Sequence, residues 1–72
     1  METDKWGRRI RAFRKLKGFT QEGLARKLGI SVSVLGEIER GSRLPTDEFL
    51  ENVAELLGIQ REDLEPSEDK QP

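Results

Sequence analysis

The sequence predicts an all-α fold, a compact domain of five helices, and three observations support it. Glycines at 18, 29, 41 and 58 each follow a helix-like segment, where a left-handed residue closes the last turn. A Ser or Thr able to cap the next helix follows soon after three of those four. Apolar residues recur at spacings of three and four, and no segment alternates with period two for long enough to make a strand.

The first helix is expected over about 4–17, with Trp6, Ile10, Phe13 and Leu16 on one side. Thr20 can cap a second over 21–28, and Ser31 a third over 32–40. Thr46 can cap a fourth over 47–57, with Asp47 and Glu48 in the first turn, where the helix dipole favours negative charge. Its stripe is Phe49, Leu50, Val53, Leu56 and Leu57. Gln60 is the weakest cap, for a short fifth helix over 61–64. Staples support these registers: an apolar residue before the cap meets one five places on, as in Phe19 with Leu24, Ile30 with Leu35, and Ile59 with Leu64. The domain is expected over 1–64. The polar, proline-bounded EPSEDKQP, 65–72, is expected to be a disordered acidic tail.

Seventy-two residues make one small domain, with 33% hydrophobic and 38% charged residues. At that size a single core only just offsets chain entropy. Cysteine and histidine are both absent, which leaves no disulfide framework and no ligands for a structural zinc site. The apolar runs are too short for a membrane span or a secretory segment, so an intracellular protein is expected. No histidine or cysteine nucleophile, glycine-rich phosphate loop or evident carboxylate pair argues for an enzyme, and no cofactor or metal is expected.

The net charge of −1 hides a polarity. Residues 1–43 hold eleven Lys/Arg against five Asp/Glu, a balance of +6, while 44–72 hold two against nine, a balance of −7. A basic lobe joined to an acidic one points to a polyanion on one side only. An unevenly charged solvated surface reads the same way.

Only Gly29, Ile30 and Ser31 join the second and third segments, and so tight a link forces the steep crossing of a helix-turn-helix. Ala25 is the small residue that a close crossing requires. Leu24, Leu28, Leu35 and Ile38 fill the space between these helices and the rest of the core.

The run RKLKGFTQEGLARKLGISVSVLGEIERGSRLP resembles the XRE/Cro family of bacterial and phage DNA-binding regulators, with the λ-repressor-like fold. The resemblance rests on Arg14, Gly18, Thr20, Gln21, Leu24, Ala25, Gly29, Ile30, Ser31, Leu35, Ile38, Glu39, Gly41 and Pro45. It extends more weakly through Ala54, Leu57, Gly58, Ile59 and Leu64, and covers roughly 8–64. It implies a largely buried ion pair between Arg14 and Glu39 that locks the first helix to the third.

The DNA contacts are expected on Thr20, Gln21, Ser31, Val32, Ser33, Gly36, Glu37, Arg40 and Arg43. Helical periodicity sends Leu35 and Ile38 inward and Ser33, Gly36, Glu37 and Arg40 outward. The family's base-reading positions fall on Val32, Ser33 and Glu37, and Gln21 matches a phosphate contact. Val32 either meets a thymine methyl or is a half-buried helix residue. Glu37 either accepts from a cytosine amino group or pairs with Arg40. Gly36 costs about 1 kcal/mol against alanine in mid-helix. That cost has a reason if the helix must approach DNA or another backbone closely. Arg43 and some of Arg8, Arg9, Arg11, Lys15 and Lys17 supply backbone charge.

The resemblance implies a sequence-specific double-stranded DNA-binding transcriptional regulator, a repressor, that inserts helix 32–40 in the major groove of a near-palindromic operator. A homodimer is the expected form on DNA, with Leu44, Ile59 and Leu64 on the dimer surface. The expected location is cytoplasmic, on the nucleoid. The alternative is a protein-interaction module of the same fold, antitoxin-like or regulator-binding, with weak DNA binding and a protein partner for the acidic lobe.

Overall fold

The structure is a computed structural model that describes residues 2–65, with side chains from residue 5 onward. Its elements are α1 (Glu2–Leu16), α2 (Gln21–Leu28), α3 (Val32–Arg40), α4 (Asp47–Leu57) and a final 3₁₀ helix (Arg61–Leu64). There is no strand among the described residues, and the expected tail at 65–72 lies outside them except for Glu65. The described residues therefore form four α-helices, and the expected fifth is a single 3₁₀ turn. Four residues are too few to propagate an α-helix against its nucleation cost, so the tighter turn forms. Asp63 closes it by accepting the Gln60 N–H at 3.0 Å. The first helix starts two residues earlier than expected and ends one earlier.

Three side-chain oxygens hold the helix starts. Thr20 Oγ1 accepts from Gly23 N at 2.9 Å, Ser31 Oγ from Val34 N at 3.1 Å, and Thr46 Oγ1 from Phe49 N at 3.1 Å. Each satisfies a backbone donor that the helix itself leaves unpaired. Between α2 and α3 the chain turns at Gly29, whose φ of +74° a Cβ would strain. Ile30 then donates back to Ala25 O at 3.1 Å and closes the turn.

The core is made of Ile10, Leu24, Ala25, Leu35, Ile38, Leu50, Val53, Ala54, Leu57 and Leu64. Trp6, Phe13, Phe19, Leu28, Ile30, Val34 and Phe49 pack around it, half-buried. Full burial of a side chain such as Leu24 or Leu35 contributes about 1.5–3 kcal/mol. α1 packs chiefly on α3, and Ala25 is buried in α2, the other helix packed on α3.

Leu16 departs from expectation: it is 74% exposed. The inward face of α1 is instead Gly7, Ile10 and Arg14, all buried. Leu16 lies two residues past Arg14, about 200° around the helix. Gly7 sets the closeness of the packing. A Cβ there would stand 2.5 Å from the Glu39 carbonyl oxygen and closer still to that of Ile38. The two helices meet backbone to backbone, and only glycine fits.

Candidate nucleic-acid interface

The buried polar contacts that join α1, α2 and α3 converge on Glu39. Arg14 Nε donates to Glu39 Oε2 at 2.7 Å, and Arg14 Nη2 to Oε1 at 3.2 Å. Gln21 Nε2 donates to the same Oε1 at 3.0 Å. Arg14 Nη1 reaches the Phe19 carbonyl at 2.9 Å, so the loop before α2 is tied into the same group. Arg14 and Glu39 are each 7% exposed. Burial of both charges costs desolvation energy that only good geometry and extra hydrogen bonds offset, and here a fork-to-fork pair has both. α1, the start of α2 and the end of α3 are thus held in one register.

That register fixes what α3 presents outward. Val32 is 39% exposed, Ser33 and Arg40 are exposed, and Ser31 stands at the cap. Glu37 does not pair with Arg40, the partner within the protein that the sequence offered. It pairs with Arg43, Nε to Oε1 at 2.8 Å, both side chains partly exposed. Arg43 reaches it because the chain reverses at Gly41, with φ of +87°, and Ser42 N closes back on Glu37 O at 2.9 Å. Arg40, three residues along the helix from Glu37, has no hydrogen-bond or ion-pair partner among the described residues.

Gly36 is not open to the outside, as periodicity alone predicts, but buried. The Arg40 guanidinium and the Gln21 amide lie over it, at 3.0 and 3.7 Å from where a Cβ would be. Within the protein itself, the groups that approach this glycine are the Arg40 and Gln21 side chains.

Thr20, Gln21 and Arg40 come together with Arg11 around one open depression of about 560 Å³, whose floor includes Arg14, Phe19 and Glu39. Arg11 is the residue that sequence reasoning did not single out from the other cations of α1. A signal existed: it lies one turn before Arg14, and pairing of Arg14 with the end of α3 places Arg11 beside the start of α2. The free N–H groups of that helix start and two guanidiniums without a partner among the described residues give the depression the electrostatics of an anion seat. Arg43 is not among the residues around this depression; it lines the groove beside Leu44, and Glu37 balances its charge.

Leu44 is 64% exposed beside a groove of about 340 Å³ lined by residues including Leu28, Ile30, Val34 and Phe49. Ile59 is half-buried. Leu64 is fully buried in the core and is not part of any surface, because the 3₁₀ turn folds it against α1 and α4. No helix among the described residues is long and apolar enough to cross a membrane.

Comparison with known proteins agrees with this geometry. The family model described as helix-turn-helix, HTH_3, matches residues 10–64. The HTH-type transcriptional regulator YazB of Bacillus subtilis (strain 168) is 62% identical over 68 residues, covering 94% of this chain and 99% of that protein. The immunity repressor protein of Bacillus phage phi105 is 48% identical over 54 residues, or 75% of this chain; the match spans only 38% of that repressor. Among solved structures, the restriction-modification controller protein C.AhdI from Aeromonas hydrophila superimposes with a TM-score of 0.83 at 35% identity, over 88% of this chain and 91% of that one.

Proposed function

The chain belongs to the helix-turn-helix family, and from that premise we propose that it is a double-stranded DNA-binding transcriptional regulator that inserts α3 in the major groove. The observation that carries this reading is the arrangement of the exposed start of α3 beside the anion seat. Val32 and Ser33 stand free at the first turn of α3, and Thr20, Gln21, Arg11 and Arg40 gather at the start of α2. In helix-turn-helix docking the first of these surfaces enters the groove while the second meets the backbone. Val32 is placed to touch a thymine methyl and Ser33 to hydrogen-bond a base edge. Ser31 stays at the cap and contributes backbone proximity rather than a reading side chain. Phosphate contacts dominate affinity, because few side chains are left to read bases.

One copy presents one helix to one half-site, so useful specificity calls for a homodimer on a near-palindrome with half-sites about one helical turn apart. Leu44 and the groove beside it, with Ile59, are the surface for that contact. Repression is the regulatory sense, supported by the similarity to a phage immunity repressor. A DNA-bound regulator of this kind works in the cytoplasm, at the nucleoid. The family is one of DNA-binding regulators and not of enzymes.

The test is selection from a pool of random duplexes at moderate salt, where one enriched near-palindromic motif is expected. Absence of any enriched motif would defeat the proposal. A second reading, a protein-interaction module with weak DNA binding, has one observation in its favour. Glu37 and Arg43 neutralise each other on the reading side, while Asp47, Glu48, Glu51 and Glu55 are exposed on α4. No duplex shift even at low salt, together with a stoichiometric protein partner for the α4 face, is the outcome that favours it.

A further inference from the structure

Arg40 rests against a residue that carries no side chain. Arg40 ends α3 and has no acidic partner among the described residues, yet its guanidinium does not extend away from the helix. It lies back along α3 over Gly36, one turn earlier, with Nη1 3.0 Å from the position of the missing Cβ. There it borders the depression at the start of α2 together with Arg11, Thr20 and Gln21. A side chain longer than a methyl at position 36 would occupy the volume in which the guanidinium rests.

We propose that Gly36 is a positioning residue for DNA binding: by leaving its side of α3 bare, it moves the charge of Arg40 from the end of α3 to the start of α2, where Arg40 and Arg11 flank one backbone phosphate. This rests on the DNA-binding reading above and deepens it. Arg40 becomes a phosphate contact that adds affinity and register, and is removed from the set of base-reading side chains. With Glu37 committed to Arg43, direct reading by α3 falls to Val32 and Ser33.

The experiment compares Gly36→Ala, Gly36→Leu, Arg40→Ala and the double variant Gly36→Leu/Arg40→Ala with the parent chain, in binding a 20-base-pair duplex across a salt series. Only the flexible end of Arg40 faces an added methyl, so Gly36→Ala is expected to keep the parent salt dependence. Arg40→Ala and Gly36→Leu are each expected to reduce the slope of log affinity against log salt by about 0.9, one phosphate contact, and to weaken low-salt binding roughly tenfold. In the Arg40→Ala background, Gly36→Leu should change the slope no further. A leucine that merely blocked the duplex would lower affinity at every salt concentration and leave the slope unchanged, and that result overturns the proposal.

A second readout needs no DNA. Nuclear Overhauser contacts from the Arg40 side chain to the Gly36 α-protons are expected in the parent chain, and to the Gln21 amide in the parent chain and Gly36→Ala but not in Gly36→Leu. Their absence from the parent chain also overturns the proposal. If the parent chain binds no duplex at low salt, the DNA-binding reading fails with it. If it binds while Arg40→Ala leaves the slope intact, only the present inference fails.

Discussion

Glu37 and Glu39 stand two residues apart on α3, and the fold puts them in opposite circumstances. Glu39 faces inward, 7% exposed, and accepts from Arg14 of α1 and Gln21 of α2. Glu37 faces outward and meets Arg43 in the loop that follows, with both side chains in contact with water. The same carboxylate therefore joins three helices in one place and, in the other, neutralises a cation at the outer face of α3. The difference lies in the surroundings. Two residues are about 200° of helical turn, enough to carry a side chain from the interior to the surface.

The contrast is broken most severely by Glu39→Ala. It strands the Arg14 guanidinium in the interior and removes the acceptor of Gln21, and is expected to destabilise the fold by about 3–5 kcal/mol in chemical denaturation. Replacing the pair together, Arg14→Met with Glu39→Leu, should restore most of that loss, because no buried charge remains uncompensated. Equal instability of the double and single variants would show that the pair does more than satisfy its own charges.

Gly7→Ala tests the backbone contact that brings Glu39 within reach. On an exposed helix the change is worth about 1 kcal/mol of added stability. Here the new methyl meets carbonyls of α3 rather than a side chain able to yield, so a net loss of about 1–3 kcal/mol is expected. A raised melting temperature would refute the close packing of α1 on α3.

The smallest effect on stability belongs to Glu37→Gln. An exposed pair of this kind contributes at most about 1 kcal/mol, so the unfolding midpoint should scarcely move. Duplex binding should respond instead. Release of Arg43 and removal of a carboxylate are expected to strengthen low-salt affinity and steepen the salt slope by about 0.9. An unchanged slope would mean that Arg43 does not face phosphate.

Much of the architecture was legible before any coordinates. The three caps at Thr20, Ser31 and Thr46 were readable because a cap acts within three residues of itself. The turn at Gly29 was equally local. The Arg14–Glu39 pairing came by another route, from resemblance to a family, since nothing in spacing alone joins two residues 25 apart. Leu16 was misplaced because hydropathy follows apolar side chains, while the inward face of α1 is built on Gly7 and Arg14, which no hydropathy pattern marks. Leu64 was offered as a surface residue for a related reason. Whether a lone apolar residue in a short terminal turn is covered depends on what packs over it.

The sequence by itself determined the all-α class, the order and nearly all the limits of the helices, and the helix-turn-helix crossing. These follow from interactions between residues up to five apart, which the order of residues states outright. The tertiary structure decided that Arg11 joins Thr20 and Gln21, that Glu37 goes to Arg43, and that Gly36 lies beneath Arg40. Those outcomes depend on how closely α1, α2 and α3 approach and on where long, flexible side chains find room. Periodicity gives the direction in which a side chain leaves its helix, and packing decides what it meets there.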